Sequence, residues 1–125
     1  MANGSARILY IEDNSDNRLL VKRVLEAEGH QLIEAANAGD GMRQVLAQAP
    51  DLILMDINLP EVDGYTTTAR IKAMPGMARV KIIAITANVM KGDREKTLAA
   101  GCDGYITKPI DVDQLPVQIA RFLEN

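Results

Sequence analysis

Three carboxylates follow two strongly apolar runs of the sequence. Asp56 ends the run at 52–55, and Glu12 and Asp13 follow the run at 7–11. Each run predicts a short strand that is buried on both faces of a parallel sheet. The carboxyl ends of parallel strands lie at one edge of the sheet, where ligands gather. If the two strands are neighbours, the three acids meet in one site.

Three carboxylates in a small space repel one another and cost free energy unless a cation relieves them. Oxygen ligands without histidine or cysteine favour a hard ion, and Mg²⁺ fits best because it tolerates few protein ligands together with several waters. Thr86 follows a further apolar run at 80–85, and Lys108 closely follows one at 104–106. A metal, a nucleophilic carboxylate, a hydroxyl and a fixed cation are the parts of a phosphoryl-transfer site.

The elements that position these residues alternate along the chain. Strands are predicted at 7–11, 31–35, 51–56, 80–85 and 104–106, each followed by a helix. Asn14 or Ser15 caps the first helix, Asn37 caps the second, and the third runs from Gly64 to about Met74. The fourth covers 91–100, and Pro116 argues that the last helix begins later than Asp111. The apolar faces assigned to the first two helices are Leu20, Val21, Val24 and Leu25, and Met42, Val45, Leu46 and Ala49.

This alternation predicts an α/β fold in which a parallel five-stranded sheet carries helices on both faces. The second and fifth strands are the least apolar, so they belong at the edges, in the flavodoxin-like order 2-1-3-4-5. That order places the first and third strands side by side. We expect a single domain at 7–125 after a short tail at 1–6.

Composition narrows the class of protein. The chain has 125 residues, 47% of them hydrophobic and 25% charged, which is typical of one globular domain. Its net charge of −3 argues against binding to nucleic acid or to a membrane surface, because both need a basic face. The single cysteine, Cys102, cannot form an internal disulfide, and no secretory signal or membrane-spanning run is present. We therefore expect a cytoplasmic protein.

Four motifs follow the predicted strands in order. They are Ile-Glu-Asp-Asn at 11–14, Leu-Met-Asp-Ile-Asn-Leu-Pro at 54–60 with Gly64, Ile-Thr-Ala at 85–87 and Tyr-Ile-Thr-Lys-Pro at 105–109. Together they resemble the receiver domain of two-component response regulators, and the likeness runs from Arg7 to the last helix. Chemotaxis receivers share the order 2-1-3-4-5, so the strand order and the resemblance are not independent.

The resemblance implies a phosphoacceptor. Asp56 would take a phosphoryl group from a histidine kinase or a histidine phosphotransfer protein. Asp13, Asp56 and the backbone carbonyl of Asn58 would bind Mg²⁺, with Glu12 acting through water. Lys108 would pair with Asp56 and with the phosphoryl group, and the peptide bond Lys108–Pro109 is expected to be cis.

The resemblance also implies a switch. Thr86 would move to hydrogen-bond the phosphoryl oxygen, and Tyr105 would turn inward behind it. Asn58 and Asn88 would modulate the lifetime of the acyl phosphate. The helix at 91–100 has few large apolar residues, so it can shift at little cost in free energy. The output face is then formed by the fourth helix, the fifth strand and the fifth helix, and the shift would change how this face binds a downstream protein.

Simpler interpretations exist for several of these residues. Thr86 can be a plain strand-end hydroxyl and Tyr105 an ordinary edge aromatic. Cys102 is best explained as a small buried residue, and redox sensing is the alternative. His30, the only histidine, is expected at the surface.

Three other functions explain the same residues less well than a phosphoacceptor does. A phosphatase of the haloacid dehalogenase type also uses an aspartate nucleophile, but it needs a second acid where this chain has Asn58. A flavin or nucleotide site lacks its phosphate-binding loop, and a degenerate receiver used only for docking is disfavoured by the intact set of site residues. Within the receiver family, a stand-alone regulator of the DivK kind is preferred, and a receiver excised from a hybrid histidine kinase is the alternative.

Overall fold

The structure is a computed structural model that describes residues 5–87 and 91–124, without the side chains of 91–93. The described residues form five strands and five helices in strict alternation. They are β1 (Arg7–Ile11), α1 (Ser15–Ala27), β2 (Gln31–Ala35), α2 (Ala38–Ala47), β3 (Leu52–Asp56), α3 (Gly64–Lys72), β4 (Lys81–Thr86), α4 (Lys91–Ala99), β5 (Gly104–Thr107) and α5 (Leu115–Glu124).

The strands form one parallel sheet in the order β2-β1-β3-β4-β5. This confirms the predicted flavodoxin-like α/β fold with β2 and β5 at the edges. Every residue of β3 is buried, as the continuous apolar run predicts for a central strand covered on both faces. The chain therefore places the end of β3, where Asp56 lies, beside the end of β1.

Two hydrophobic cores lie on opposite faces of the sheet because side chains alternate along each strand. Leu9 and Ile53 belong to the core that also contains Val45 of α2 and Ile71 of α3. The other core contains strand residues Ile8, Tyr10, Leu52 and Leu54 and helix residues Val21, Leu25, Leu115 and Ile119. The helices thus cover both faces of the sheet that carries the site.

The helix termini follow the capping residues of the sequence. The side chain of Asn14 accepts a hydrogen bond from the backbone N–H of Asn17, and Asn37 caps α2 in the same way. Asp63 caps α3 through the N–H of Thr66. Helix α5 begins at Leu115, so Pro116 lies in the first turn, where its missing N–H leaves no intrahelical bond unmade.

Three of the core positions predicted for the first two helices are wrong. Ala49 is exposed and lies beyond the end of α2 at Ala47. Leu46 is 76% exposed and Leu20 is 45% exposed. Helix α2 packs over β1 and the edge strand β2, and it approaches so closely that a Cβ at Gly41 would lie 2.5 Å from the Ile11 side chain. The sheet therefore covers only the narrow face of α2 that contains Val45. Because β2 is an edge strand, no neighbouring strand lies beyond it to cover Leu46.

His30 is also misplaced by the sequence analysis, because it is buried and not at the surface. Its Nδ1 accepts a hydrogen bond of 3.0 Å from the backbone N–H of Ala6. The hydroxyl of Ser5 donates to the carbonyl of Gly29 at 2.9 Å. Residues 5 and 6, which we assigned to the tail, are therefore fastened to the turn that precedes β2.

Burial lowers the pKa of His30, an effect that the nearby Glu28 carboxylate opposes. The unfolded chain then binds more protons than the folded one, so the stability contributed by neutral His30 is present above its usual pKa near 6.5 and is lost as the pH falls through the folded value. His30→Asn keeps an acceptor and cannot titrate. We expect wild type to lose about 1 kcal/mol more than this variant between pH 7 and pH 5, the worth of one hydrogen bond. Urea unfolding at both pH values measures the difference, and equal losses would contradict the assignment.

Candidate functional site

The three predicted carboxylates meet at the carboxyl ends of β1 and β3. One carboxylate oxygen from each of Glu12, Asp13 and Asp56 lies within 4.8 Å of the other two. Glu12 and Asp56 are each 1% exposed, whereas Asp13 is exposed. The register pairs Ile11 with Met55, so both chains leave the sheet at the same level. Sequence and topology therefore produce one acidic cluster that is open on the side of Asp13.

The cluster concentrates negative charge in a poorly solvated place. Burial, together with the neighbouring Asp56 and Asp13, raises the pKa of Glu12 to about 7. The Lys108 ammonium lies 3.1 Å from Oδ1 of Asp56 and 3.7 Å from Oε1 of Glu12. Among the described side chains, Lys108 is the one that forms ion pairs with these carboxylates, so negative charge is in excess and favours a further cation.

Two donors orient the Asp56 carboxylate. Its Oδ1 accepts hydrogen bonds from the backbone N–H of Asn58 at 3.0 Å and from Nζ of Lys108 at 3.1 Å. Lys108 comes from the loop after β5, where the Lys108–Pro109 peptide bond is cis. The backbone N–H of Lys108 donates to the carbonyl of Thr86 at 2.8 Å, which ties this loop to the end of β4.

The predicted switch residues lie on the neighbouring strands. Thr86 is the buried last residue of β4, and its partner across the ladder is Thr107 of β5. Tyr105 is half-buried, and the guanidinium carbon of Arg94 in α4 lies 5.6 Å from the centre of its ring. Leu98 of α4 is exposed. Asn88, to which the sequence analysis assigns a role in phosphoryl lifetime, lies outside the described residues.

The sequence analysis missed the residues that hold Glu12. The hydroxyl of Tyr10 donates to Oε1 of Glu12 at 3.2 Å, and Nδ2 of Asn17 donates to the same oxygen at 3.3 Å. Its Oε2 accepts the backbone N–H of Asn14 at 3.3 Å. Burial and the Glu12 carboxylate raise the pKa of Tyr10, so its hydroxyl stays protonated and remains a donor. Arg18 contacts the backbone of Glu12, with Nη1 2.5 Å from its carbonyl oxygen.

A signal for some of these residues was present in the sequence. Tyr10 is two residues before Glu12, so both side chains project from the same face of the chain leaving β1. Asn17 and Arg18 lie in the first turn or so of α1, next to the acids at its N-terminus. Whether Asn17 or Arg18 turns toward the site depends on how α1 packs on the sheet. The residue types alone do not specify that packing.

The donor set fits Mg²⁺. Three carboxylates within one small volume provide only oxygen ligands, and Asp13 leaves one side open to water. A hard divalent ion that keeps several waters is suited to this arrangement. The excess negative charge and the raised pKa of Glu12 both indicate a site that a cation stabilises.

Comparison with known proteins places this geometry in a family. A family model described as the response regulator receiver domain matches residues 8–120. The chain belongs to the response regulator receiver family. These domains act in two-component signalling, so the resemblance found in the sequence is confirmed.

Several relatives cover nearly the whole receiver domain. The polar-differentiation response regulator DivK of Brucella anthropi is 38% identical over 116 residues, which are 93% of this chain and 94% of that protein. The receiver domain of the Pseudomonas aeruginosa sensor histidine kinase PA1611, solved with a magnesium ion coordinated in the active site cleft, is 36% identical. Its TM-score is 0.87, with 97% of this chain and 99% of that chain covered. Vibrio cholerae chemotaxis protein CheY4, at 20% identity and a TM-score of 0.90, covers 94% of this chain and 98% of its own and shares the fold.

The helices of the receiver domain are short. Among the helices that the structure describes, none is long and apolar enough to cross a membrane.

Proposed function

We propose that this receiver domain is a phosphoacceptor in which Asp56 receives a phosphoryl group from a phosphohistidine. The observation that carries the proposal is the placement of Asp56, a buried carboxylate between the Lys108 ammonium at 3.1 Å and the two acids that end β1. A nucleophile, a fixed cation and a divalent-ion site in contact form the machinery of phosphoryl transfer.

The step balances without a further reactant. An oxygen of Asp56 attacks phosphorus, a new O–P bond forms, the P–N bond of the donor breaks, and the electron pair returns to the donor imidazole. Oδ1 already accepts two hydrogen bonds, so we assign the attack to Oδ2. Lys108 neutralises charge that develops on the equatorial oxygens.

Asp13, Asp56 and the carbonyl of Asn58 would hold Mg²⁺, with Glu12 acting through a water. The bound ion supplies electrostatic stabilisation of the phosphoryl oxygens and relieves the repulsion within the acidic cluster. Asn58 also donates its backbone N–H to Asp56, so this residue, two positions after the end of β3, would serve both the ion and the nucleophile. The side chain of Asn58, with Asn88, would set the lifetime of the acyl phosphate.

The proposed output passes through Thr86 and Tyr105. A new dianion on Asp56 attracts the Thr86 hydroxyl, and the half-buried Tyr105 moves inward behind it. Tyr105 and α4 are in contact through Arg94, and α4 keeps its large aliphatic residue Leu98 outside the core. The face formed by α4, β5 and α5 would therefore change shape and, with it, its affinity for a downstream protein.

The proposed phosphodonor is a histidine kinase or a histidine phosphotransfer protein in the cytoplasm. A cleft of about 400 Å³ opens beside Lys108, and the exposed Leu20 of α1 lines it together with Ile110.

The similarity to DivK favours a stand-alone regulator. The similarity to the PA1611 receiver supports the alternative that the domain belongs to a hybrid histidine kinase, with the same chemistry at Asp56.

Incubation with acetyl phosphate and Mg²⁺, followed by intact mass measurement, tests the proposal. We expect the chain to gain the mass of one phosphoryl group and to lose the gain when EDTA replaces Mg²⁺. Borohydride trapping followed by peptide mapping would place the group on Asp56. A chain that gains no mass, or gains it equally in EDTA, would overturn the proposed function.

A further inference from the structure

We propose that Arg18 is a positioning residue for the Mg²⁺ site, an inference that rests on the proposed function. Arg18 touches none of the three carboxylates that we assign to the ion. It acts on the backbone that presents them, through a hydrogen bond from Nη1 to the carbonyl oxygen of Glu12 at 2.5 Å.

The bonded carbonyl belongs to the peptide unit between Glu12 and Asp13. On the other side of Glu12, its backbone N–H donates to the carbonyl of Ala35 at 2.9 Å, which continues the ladder between β1 and β2 by one residue. A peptide unit is planar and turns as one body about the dihedral angles on either side. With the Glu12 N–H already held, fixing this carbonyl fixes ψ of Glu12 and the position of the Asp13 Cα. It therefore sets where the chain that carries the Asp13 side chain leaves the strand.

Arg18 is itself held in place. Its Nε donates to Oε1 of Glu34 at 3.2 Å, and Nζ of Lys22 lies 3.6 Å from the other oxygen of the same carboxylate. The Arg18 side chain is only 17% exposed, so its aliphatic stem is packed. A guanidinium with two directional partners loses little freedom for each bond it makes, and Lys offers no equivalent fork.

The anchoring matters most for Asp13 because this is the exposed acid of the cluster. Glu12 is held by Tyr10, Asn17 and the N–H of Asn14, and Asp56 is held by Asn58 and Lys108. Mg²⁺ demands near-ideal octahedral geometry, so a ligand whose backbone is free to turn binds it less well. We therefore expect the geometry of Asp13 to depend on Arg18.

Electrostatics and anchoring predict opposite effects, which makes the test sharp. Removing one positive charge beside three carboxylates would, by Coulomb attraction alone, tighten Mg²⁺ binding. Loss of the hydrogen bond from Arg18 to the Glu12 carbonyl is instead expected to weaken Mg²⁺ binding. For Arg18→Met, which keeps an aliphatic stem, we expect the Mg²⁺ dissociation constant measured by calorimetry to rise about 10-fold, as for other residues that orient metal ligands. Arg18→Lys retains a donor and is expected to recover part of the affinity.

The matched control is Arg43→Met. Arg43 pairs with Asp40 on α2 and its side chain is 73% exposed, so its replacement removes the same charge without touching the strand ends. We expect its Mg²⁺ affinity to stay near that of wild type. Urea midpoints in EDTA report the folding of each variant separately from ion binding. Unchanged or tighter Mg²⁺ binding in folded Arg18→Met would overturn the proposal.

If Arg18→Met does not fold, Arg18→Lys provides the comparison, because it keeps the positive charge and lacks the guanidinium fork that reaches both Glu34 and the Glu12 carbonyl. Coulomb attraction then predicts no change, whereas lost anchoring predicts about threefold weaker Mg²⁺ binding, and unchanged binding would overturn the proposal. Phosphorylation by acetyl phosphate at saturating Mg²⁺ separates the two proposals. Arg18→Met is expected to reach the full mass gain there. A wild-type chain that gains no mass would refute the phosphoacceptor function, while the Mg²⁺ affinities would still decide the role of Arg18.

Discussion

Asp56→Asn is expected to abolish the gain of phosphoryl mass from acetyl phosphate and Mg²⁺. An amide oxygen is a far weaker nucleophile than a carboxylate, and the substitution also removes one of the acids assigned to the ion. Asparagine has nearly the same shape, and its side-chain oxygen can still accept from the Asn58 N–H. The fold is therefore expected to persist, and the measured loss will belong to the chemistry.

Asp51→Asn is the matched control for this variant. Asp51 immediately precedes β3, so it lies at the opposite end of this strand from Asp56. Its Oδ2 accepts a hydrogen bond from the backbone N–H of Arg7 at 2.8 Å. Its replacement changes the net charge equally, and we expect wild-type phosphorylation. A phosphoryl mass that persists in Asp56→Asn would contradict the assignment of the acceptor.

Gly64→Ala is expected to destabilise the fold by about 3 kcal/mol, because overpacked positions that meet rigid groups are costly. Gly64 is the first residue of α3, and a Cβ there would lie 2.4 Å from the carbonyl oxygen of Asp56 and 2.7 Å from Cα of Ile57. Both are backbone atoms, so no side chain can turn aside. The Gly64 N–H also donates to the carbonyl of Ile57 at 3.0 Å, which holds the helix against the strand end. Urea unfolding in EDTA measures the free energy of unfolding.

Gly39→Ala provides the contrast. Gly39 lies in α2 with an exposed surface, and its added Cβ would meet the Asn37 side chain at 3.4 Å, an ordinary contact. Replacing a helical glycine with alanine typically stabilises by up to about 1 kcal/mol. Equal free energies of unfolding for Gly64→Ala and Gly39→Ala would contradict the prediction, because they would show that α3 can move away from Asp56 without loss of stability.

The sequence by itself determined the order of the elements and the chemistry of the site. Continuous apolar runs at 8–11 and 52–55 require strands buried on both faces, and alternation with helices then requires a parallel sheet. Acids, a hydroxyl and a lysine at the strand ends must then meet at one edge. This information is local, because hydrophobic periodicity and capping residues act within a few neighbouring positions.

Tertiary structure alone decided which side chains serve that chemistry indirectly and which apolar residues stay outside. Leu46 has the helical spacing of a core residue but is exposed, because α2 lies at the edge of the sheet. His30 is buried because residues 5 and 6 close over it. Asn17 and Arg18 reach Glu12 only because α1 is docked at one rotation about its axis. That rotation results from packing over the whole face of the sheet, so the spacing of a few residues does not specify it.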